Sequence, residues 1–161
     1  MGIRMSITLD ENDTTTQELC NLFLNLPFNR LIGLQLESIE AQILKLGFGM
    51  QEQLIGNTFK RILHGGVIAS VMDSCGGLHA LAAGANKMPH LSYEEKAQRL
   101  SKGSTIDMRI DFLRPGKGTH FTVSSELLRS GRRVTVTRMK LLNELDQLIA
   151  AGSASYLIES E

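Results

Sequence analysis

Between Ile62 and Asn86 the chain carries a single formally charged side chain, Asp73, in a run otherwise built of aliphatic, small and weakly polar residues. A carboxylate there loses hydration that hydrogen bonds or access to solvent must replace. Three uses are open to it. It can fix packing by accepting hydrogen bonds from backbone or a hydroxyl, it can sit exposed on an outer face, or it can face a cleft as general base or nucleophile. Eight residues before Asp73 stands Gly65, within His64-Gly65-Gly66. These glycines permit a tight turn. At the start of a helix their backbone N–H groups would also lack intrahelical acceptors, and such groups can stabilise an oxyanion or polarise a carbonyl.

Spacing limits how these two features combine. Eight residues of helix span ~12 Å, too far for one reacting carbonyl to touch both within one chain. Either Gly65 and Asp73 are unrelated, or a site joins Gly65 of one chain to Asp73 of another. A two-fold dimer with antiparallel helices would do this and create two equivalent sites. Other chemistries lack their markers: there is no GxSxG, HExxH or P-loop, and Gly47 and Gly49 do not extend to a GxGxxG. The histidines, His64, His79, His90 and His120, fall on different elements. Asp73 and His79 are six apart, on different faces of a helix, so no metal site is expected. His79 reads as a satisfied core residue.

The 161 residues suffice for one hydrophobic core, so no disulfide or structural metal is needed. Lys+Arg and Asp+Glu both total 17, which excludes a nucleic-acid binder that works by bulk charge. Cys20 and Cys75 form no CxxC pair. With no secretory signal and no uninterrupted apolar run of membrane-spanning length, the expected location is the reducing cytoplasm, with no membrane span.

The elements that must hold the reactive residues follow from periodicity. Residues 1–16 read as flexible, with Thr14–Thr16 capping a helix over 17–26 whose Leu19, Leu22, Phe23 and Leu26 form one stripe, and Pro27 ending it. A strand over 31–39 and its hairpin partner over 41–48 precede a polar loop or short helical turn over 50–60. Residues 66–83 read as a buried helix in which Gly76 and Gly77 each cost ~1 kcal/mol relative to Ala. Ser92 and Glu95 have capping-box spacing for a short helix over 93–100. A strand over 104–113 places Ile106, Met108, Ile110 and Phe112 on one face and Thr105, Asp107, Arg109 and Asp111 on the other. Further strands cover 120–128, 133–142 and 147–158. Short turns between successive strands imply an antiparallel sheet with one long helix packed on it, a single α+β domain over 1–161.

The runs HGGVIASVMDSCGG (64–77) and STIDMRIDFLRPG (104–116) resemble the hotdog-fold acyl-CoA thioesterases of the phenylacetic-acid-degradation type. The LPFNRLIGL start (26–34) and ILHGGVIAS (62–70) are similar to their YigI-like branch. The resemblance implies an antiparallel sheet wrapped around one long central helix, a homodimer or dimer of dimers with interfacial active sites, an acyl-CoA substrate and no cofactor. It implies that Asp73 is the catalytic carboxylate, that the Gly65 N–H holds the thioester carbonyl and that His64 shapes the loop. By the same resemblance Thr105 helps to orient water and Asn57 is the upstream Asn of the site. Asn57 precedes His64 by seven residues, one more than in some relatives. The 86–102 connection is also longer than in compact relatives, and either shapes an acyl tunnel or decorates the surface. Beside these roles stand plainer ones: an Asx-turn for Asn57, an ordinary strand threonine for Thr105 and a packing imidazole for His64.

Arg129, Arg132 and Arg133 cluster around Gly131. They form either a solvated surface or a seat for coenzyme A phosphates. The expected activity is hydrolysis of medium- to long-chain fatty acyl-CoA to free fatty acid and CoA. The alternatives are a non-catalytic acyl-CoA or lipid-binding protein, and a hydroxyacyl-thioester dehydratase. Against the last stands the lack of a histidine evidently placed opposite Asp73.

Overall fold

The computed structural model describes residues 14–40 and 42–159. The expected flexible start therefore falls, for residues 1–13, outside the described residues, as does Ala41 at the start of the second expected strand. Thr14–Thr16, by contrast, are the first turn of α1 (Thr14–Leu24), and Thr16 is buried. Pro27 does not terminate that helix but opens a second one, α2 (Pro27–Ile32). Proline suits a first helical position because its missing N–H would have had no acceptor there and its φ is already helical. Gly33 closes α2 at φ 79°, a left-handed cap that glycine reaches without strain. Leu31 and Ile32 thus belong to a helix rather than to the expected strand, and β1 is shorter, Gln35–Glu40.

The remaining elements follow the expected order, except that the loop or helical turn expected over 50–60 also holds the first strand of an unexpected small hairpin. β2 (Ile43–Gly49) leads through a 3₁₀ turn (Glu52–Leu54) to a small hairpin of β3 (Ile55–Asn57) and β4 (Ile62–Leu63). The long helix α3 (Gly65–Ala85) and the short helix α4 (Tyr93–Leu100) come next. The expected capping box starts α4: Ser92 Oγ accepts the Glu95 N–H, and the Glu95 carboxylate accepts the Ser92 N–H. Then come β5 (Ser104–Phe112), β6 (His120–Ser130), β7 (Val134–Asn143) and β8 (Leu148–Leu157).

Six of the strands form one antiparallel sheet in the order β1-β2-β6-β7-β8-β5. α3 lies on it, burying Val71, Met72, Cys75 and Leu78 against Leu46, Phe121, Val123 and Met139 in one continuous apolar cluster. By length and composition α3 could cross a membrane, but more than half of it is buried inside the fold. Helix and sheet approach most closely at Gly76. A Cβ there would collide with the Tyr156 hydroxyl and come within 2.8 Å of Thr137 Oγ1. That contact, rather than helix propensity, selects the glycine.

β5 is one of the two outer strands of the sheet and, among the described residues, pairs only with β8. Its register departs from simple alternation. Thr105 pairs with Tyr156 and Asp107 with Ser155, leaving Ile106 as a bulge. Residues directly opposite each other in a sheet share a face, and Tyr156 and Ala154 are both buried under α3. The bulge therefore turns Thr105 onto the inner face with Met108 and Ile110. Strict alternation put it on the outer face with Asp107 and Arg109. One extra residue re-aims the side chain before it.

Candidate active site

α3 starts at Gly65 because His64 caps it. The Nδ1 of His64 accepts the Gly66 N–H at 2.8 Å, and its carbonyl accepts the N–H groups of Val67 and Ile68. Nδ1 as acceptor places the proton of the neutral ring on Nε2. Among the described residues the Gly65 N–H has no acceptor, so it stands at the positive end of a 21-residue helix as an available donor. A Cβ on Gly65 would lie 3.6 Å from the Phe112 ring, which fixes this donor at the Phe112 end of β5. The β3–β4 hairpin packs Gly56 against the His64 backbone at the same end. Within that hairpin Asn57 Oδ1 accepts the Lys60 N–H at 3.0 Å, the Asx-type turn that is its plainer role.

Asp73 sits two turns along α3 and is half-buried. Its Oδ1 accepts a 2.9 Å hydrogen bond from Thr105 Oγ1, at the opposite end of β5 from Phe112. Its backbone carbonyl accepts the Tyr156 hydroxyl at 3.1 Å. Burial and the nearby Asp73 charge push the Tyr156 phenol well above its ordinary range, so it remains a donor at neutral pH. Beside Asp73, Ser74 Oγ donates to Asn29 Oδ1 at 3.1 Å, and Asn29 Nδ2 donates to the Phe23 carbonyl at 2.8 Å. The buried Asn29 thereby ties the α1–α2 corner to α3 next to the carboxylate. Asn29 and Tyr156 were not singled out from the sequence. Tyr156 falls in period-2 step with the buried Ala154 in β8 and Ile158 just beyond it, a signal that marks it as inward-facing but not as a neighbour of Asp73.

A cavity of about 430 Å³ runs from Asp73 and Thr105 into the protein. Its walls are mainly apolar: Leu22 and Phe23 of α1, Leu26 at the α1–α2 corner, Leu100 of α4, and Leu81 and Ile158. The stripe on α1 and the long 86–102 connection therefore both line the space that begins at the carboxylate. The structure thus brings Asp73 and Thr105 together, and places His64 and Gly65 ~12 Å away along α3, with Asn57 in the neighbouring hairpin. Arg129, Arg132 and Arg133 are exposed on the β6–β7 turn, at the end of the sheet where α3 finishes.

Other reactive side chains are otherwise engaged. His79 is fully buried, with Nδ1 3.1 Å from Ser125 Oγ, and its Nε2 has no partner among the described residues. Burial lowers its pKa to about 4. Burial raises the Cys20 thiol to about 11 and the Cys75 thiol further, so neither is a nucleophile at neutral pH. Among the described residues no three His, Cys, Asp or Glu side chains converge as metal ligands.

A helix lying on one antiparallel sheet, with a carboxylate on that helix at the head of an apolar cavity, defines a hotdog-fold protein. The chain belongs to the thioesterase superfamily, which matches residues 61–150. It is 44% identical over 134 residues to the medium/long-chain acyl-CoA thioesterase YigI of Salmonella typhimurium, covering 83% of this chain and 86% of that protein. It is 43% identical over the same length to YigI of Escherichia coli K12. A Shewanella oneidensis protein related to the thioesterase superfamily superposes with a TM-score of 0.83 at 39% identity, covering 89% of this chain and 95% of that one. The PaaI protein of the E. coli phenylacetic acid degradation operon shares the fold, with a TM-score of 0.71 at 16% identity over 89% of this chain and 93% of that one.

Proposed function

We propose that the protein hydrolyses medium- to long-chain acyl-CoA thioesters to the fatty acid and free CoA, as a cytoplasmic homodimer or dimer of dimers with its sites between subunits. The observation that carries this reading is the Asp73 carboxylate at the head of an apolar cavity. The names of the YigI relatives support the substrate class, and the unpaired thiols of Cys20 and Cys75 suit a reducing compartment.

The geometry of β5 supports the interfacial site. Its outer edge is open among the described residues, and Ile106, Phe112 and Leu113 are exposed along it. If two such edges pair about a two-fold axis, the strands run antiparallel, and Thr105 of one chain comes opposite the Phe112 end of the other. Thr105 holds Asp73, and Phe112 packs on Gly65. Edge pairing therefore carries the partner's Gly65 toward Asp73, closing the distance that one helix cannot.

In that site the thioester carbonyl accepts the Gly65 N–H, with the helix dipole favouring the developing oxyanion. Asp73 either takes a proton from water, which adds to the carbonyl carbon, or attacks that carbon itself to form an anhydride that water then opens. Either route ends with the carbon–sulfur bond broken, the proton on the departing thiolate and the acyl group as a carboxylic acid. Thr105 orients the carboxylate through its hydrogen bond, Asn57 acts from the hairpin beside Gly65, and His64 holds the loop by capping α3. The β6–β7 turn of one subunit would lie toward the end occupied by the partner's Gly65, so Arg129, Arg132 and Arg133 are the candidates for the CoA phosphates.

Dehydration is disfavoured because His64 is engaged as a cap and His79 is sealed in the core. Thiol release from acyl-CoAs of graded length, with product analysis, tests the reading. Free CoA and fatty acid are expected, whereas an enoyl thioester, or binding without turnover at any length, would overturn it.

A further inference from the structure

The cavity beyond Asp73 follows one face of α3. Asp73, Gly77 and Leu81 line it at successive turns, and α1 forms the opposite wall. The C-terminal end of α1 is tied through Asn29 to Ser74, beside Asp73. Leu81 lies eight residues along α3 from Asp73, and Leu100 and Ile158 line the cavity at that far end. That far end cannot recede. Leu100 and Ile158 rest directly on the backbone at Gly84, where a Cβ would come within 3.1 Å of Leu100 Cδ2 and collide with Ile158.

Gly77 occupies the middle of the channel for a different reason from its neighbour. A Cβ on Gly76 would strike Tyr156, Thr137 and Met139, whereas a Cβ on Gly77 would make only an ordinary 3.5 Å contact with the Tyr156 ring. Backbone packing leaves room for a side chain at 77, and alanine is the better helix former. What a larger residue there would obstruct is the bore between Asp73 and Leu81.

We infer that this channel measures the acyl chain, with Gly77 keeping its bore open and Leu81, Leu100 and Ile158 forming a fixed floor. The eight residues from Asp73 to Leu81 span ~12 Å of helix, and an extended chain advances ~1.2 Å per bond, so the channel takes roughly ten carbons. The inference deepens the proposed thioesterase reading and rests on it for the identity of the ligand's head group. The channel favours medium-chain acyl groups over longer ones, which its floor does not accommodate at full extension.

The test is kcat/KM for saturated acyl-CoAs of four to sixteen carbons, with wild type, Gly77→Val and Leu100→Ala, each checked by thermal melting. For wild type we expect a rise of up to about fourfold per added methylene, breaking near ten carbons. Gly77→Val should lower the ten-carbon to four-carbon ratio by about tenfold or more, and Leu100→Ala should move the break to longer chains. If one variant fails to fold, the other decides. A break that neither variant moves, or a wild-type profile without one, overturns the inference. Calorimetric binding of free fatty acids of the same lengths separates the two ideas. A binding break near ten carbons without thiol release at any length defeats the hydrolytic reading alone. Thiol release without any break defeats the channel alone.

Discussion

Thr105 Oγ1 and Asp73 Oδ1, 32 residues apart in sequence, are joined by a 2.9 Å hydrogen bond. The bond exists because β5 is bulged at Ile106. On the proposed mechanism Thr105 acts as a positioning residue through this bond. Thr105→Val should lower kcat by about tenfold or more, the scale of a hydrogen bond to a charged group, with little change in KM. Thr105→Ser should recover most of the loss. Equal kinetics for the Val and Ser proteins would show that the hydroxyl has no such role.

Asp73→Asn keeps the shape and the Thr105 contact but removes the base or nucleophile. Turnover should fall by ~10²-fold or more, while the melting temperature and acyl-CoA binding stay close to wild type. A folded Asp73→Asn protein with wild-type turnover would end the proposed mechanism.

If the open edge of β5 pairs as proposed, assembly and activity are one property. The double substitution Ile106→Asp and Phe112→Asp places charge along that edge. Sedimentation should then report monomers, and thiol release should vanish with the dimer. A monomer that retains full activity would refute the shared site.

His79 is neutral in the folded protein because burial lowers its pKa to about 4, below the ordinary ~6.5 of the unfolded chain. The unfolded state therefore binds the proton first as pH falls. From this group alone, stability is constant above pH ~6.5, declines between there and about 4 by roughly 3 kcal/mol, and levels off below. Denaturant titrations of wild type and His79→Gln across this range should show the decline in the first and a flatter profile in the second.

The adjacent glycines of α3 should respond oppositely to alanine. Gly76→Ala forces Tyr156 or the helix to move and should destabilise by ~1–3 kcal/mol. Gly77→Ala adds only an ordinary contact and should be neutral or stabilising by up to ~1 kcal/mol. Urea unfolding of the two proteins measures the difference.

The parts that the sequence reveals are those with local signals. α3 announces itself by length and low charge, α4 by its Ser92–Glu95 box, and the last four strands by the turns between them. The isolation of Asp73 and the ~12 Å of helix between it and Gly65 are both legible in the residues alone. Thr105 is different. Alternation assigns it to the outer face, and only the pairing of Ile106's neighbours with β8 reverses that. Pro27 misleads because proline is equally at home ending one helix and starting the next. Asn29 acts through a partner 45 residues away, a distance at which spacing carries no information.

The helices that enclose the cavity stand outside the sheet and helix that hold the carboxylate. α1 and α4 can change their side chains without disturbing β5, β8 or the cap of α3. Lineages sharing this scaffold can drift toward other fatty substrates by editing two peripheral segments, while the carboxylate and its threonine keep their places.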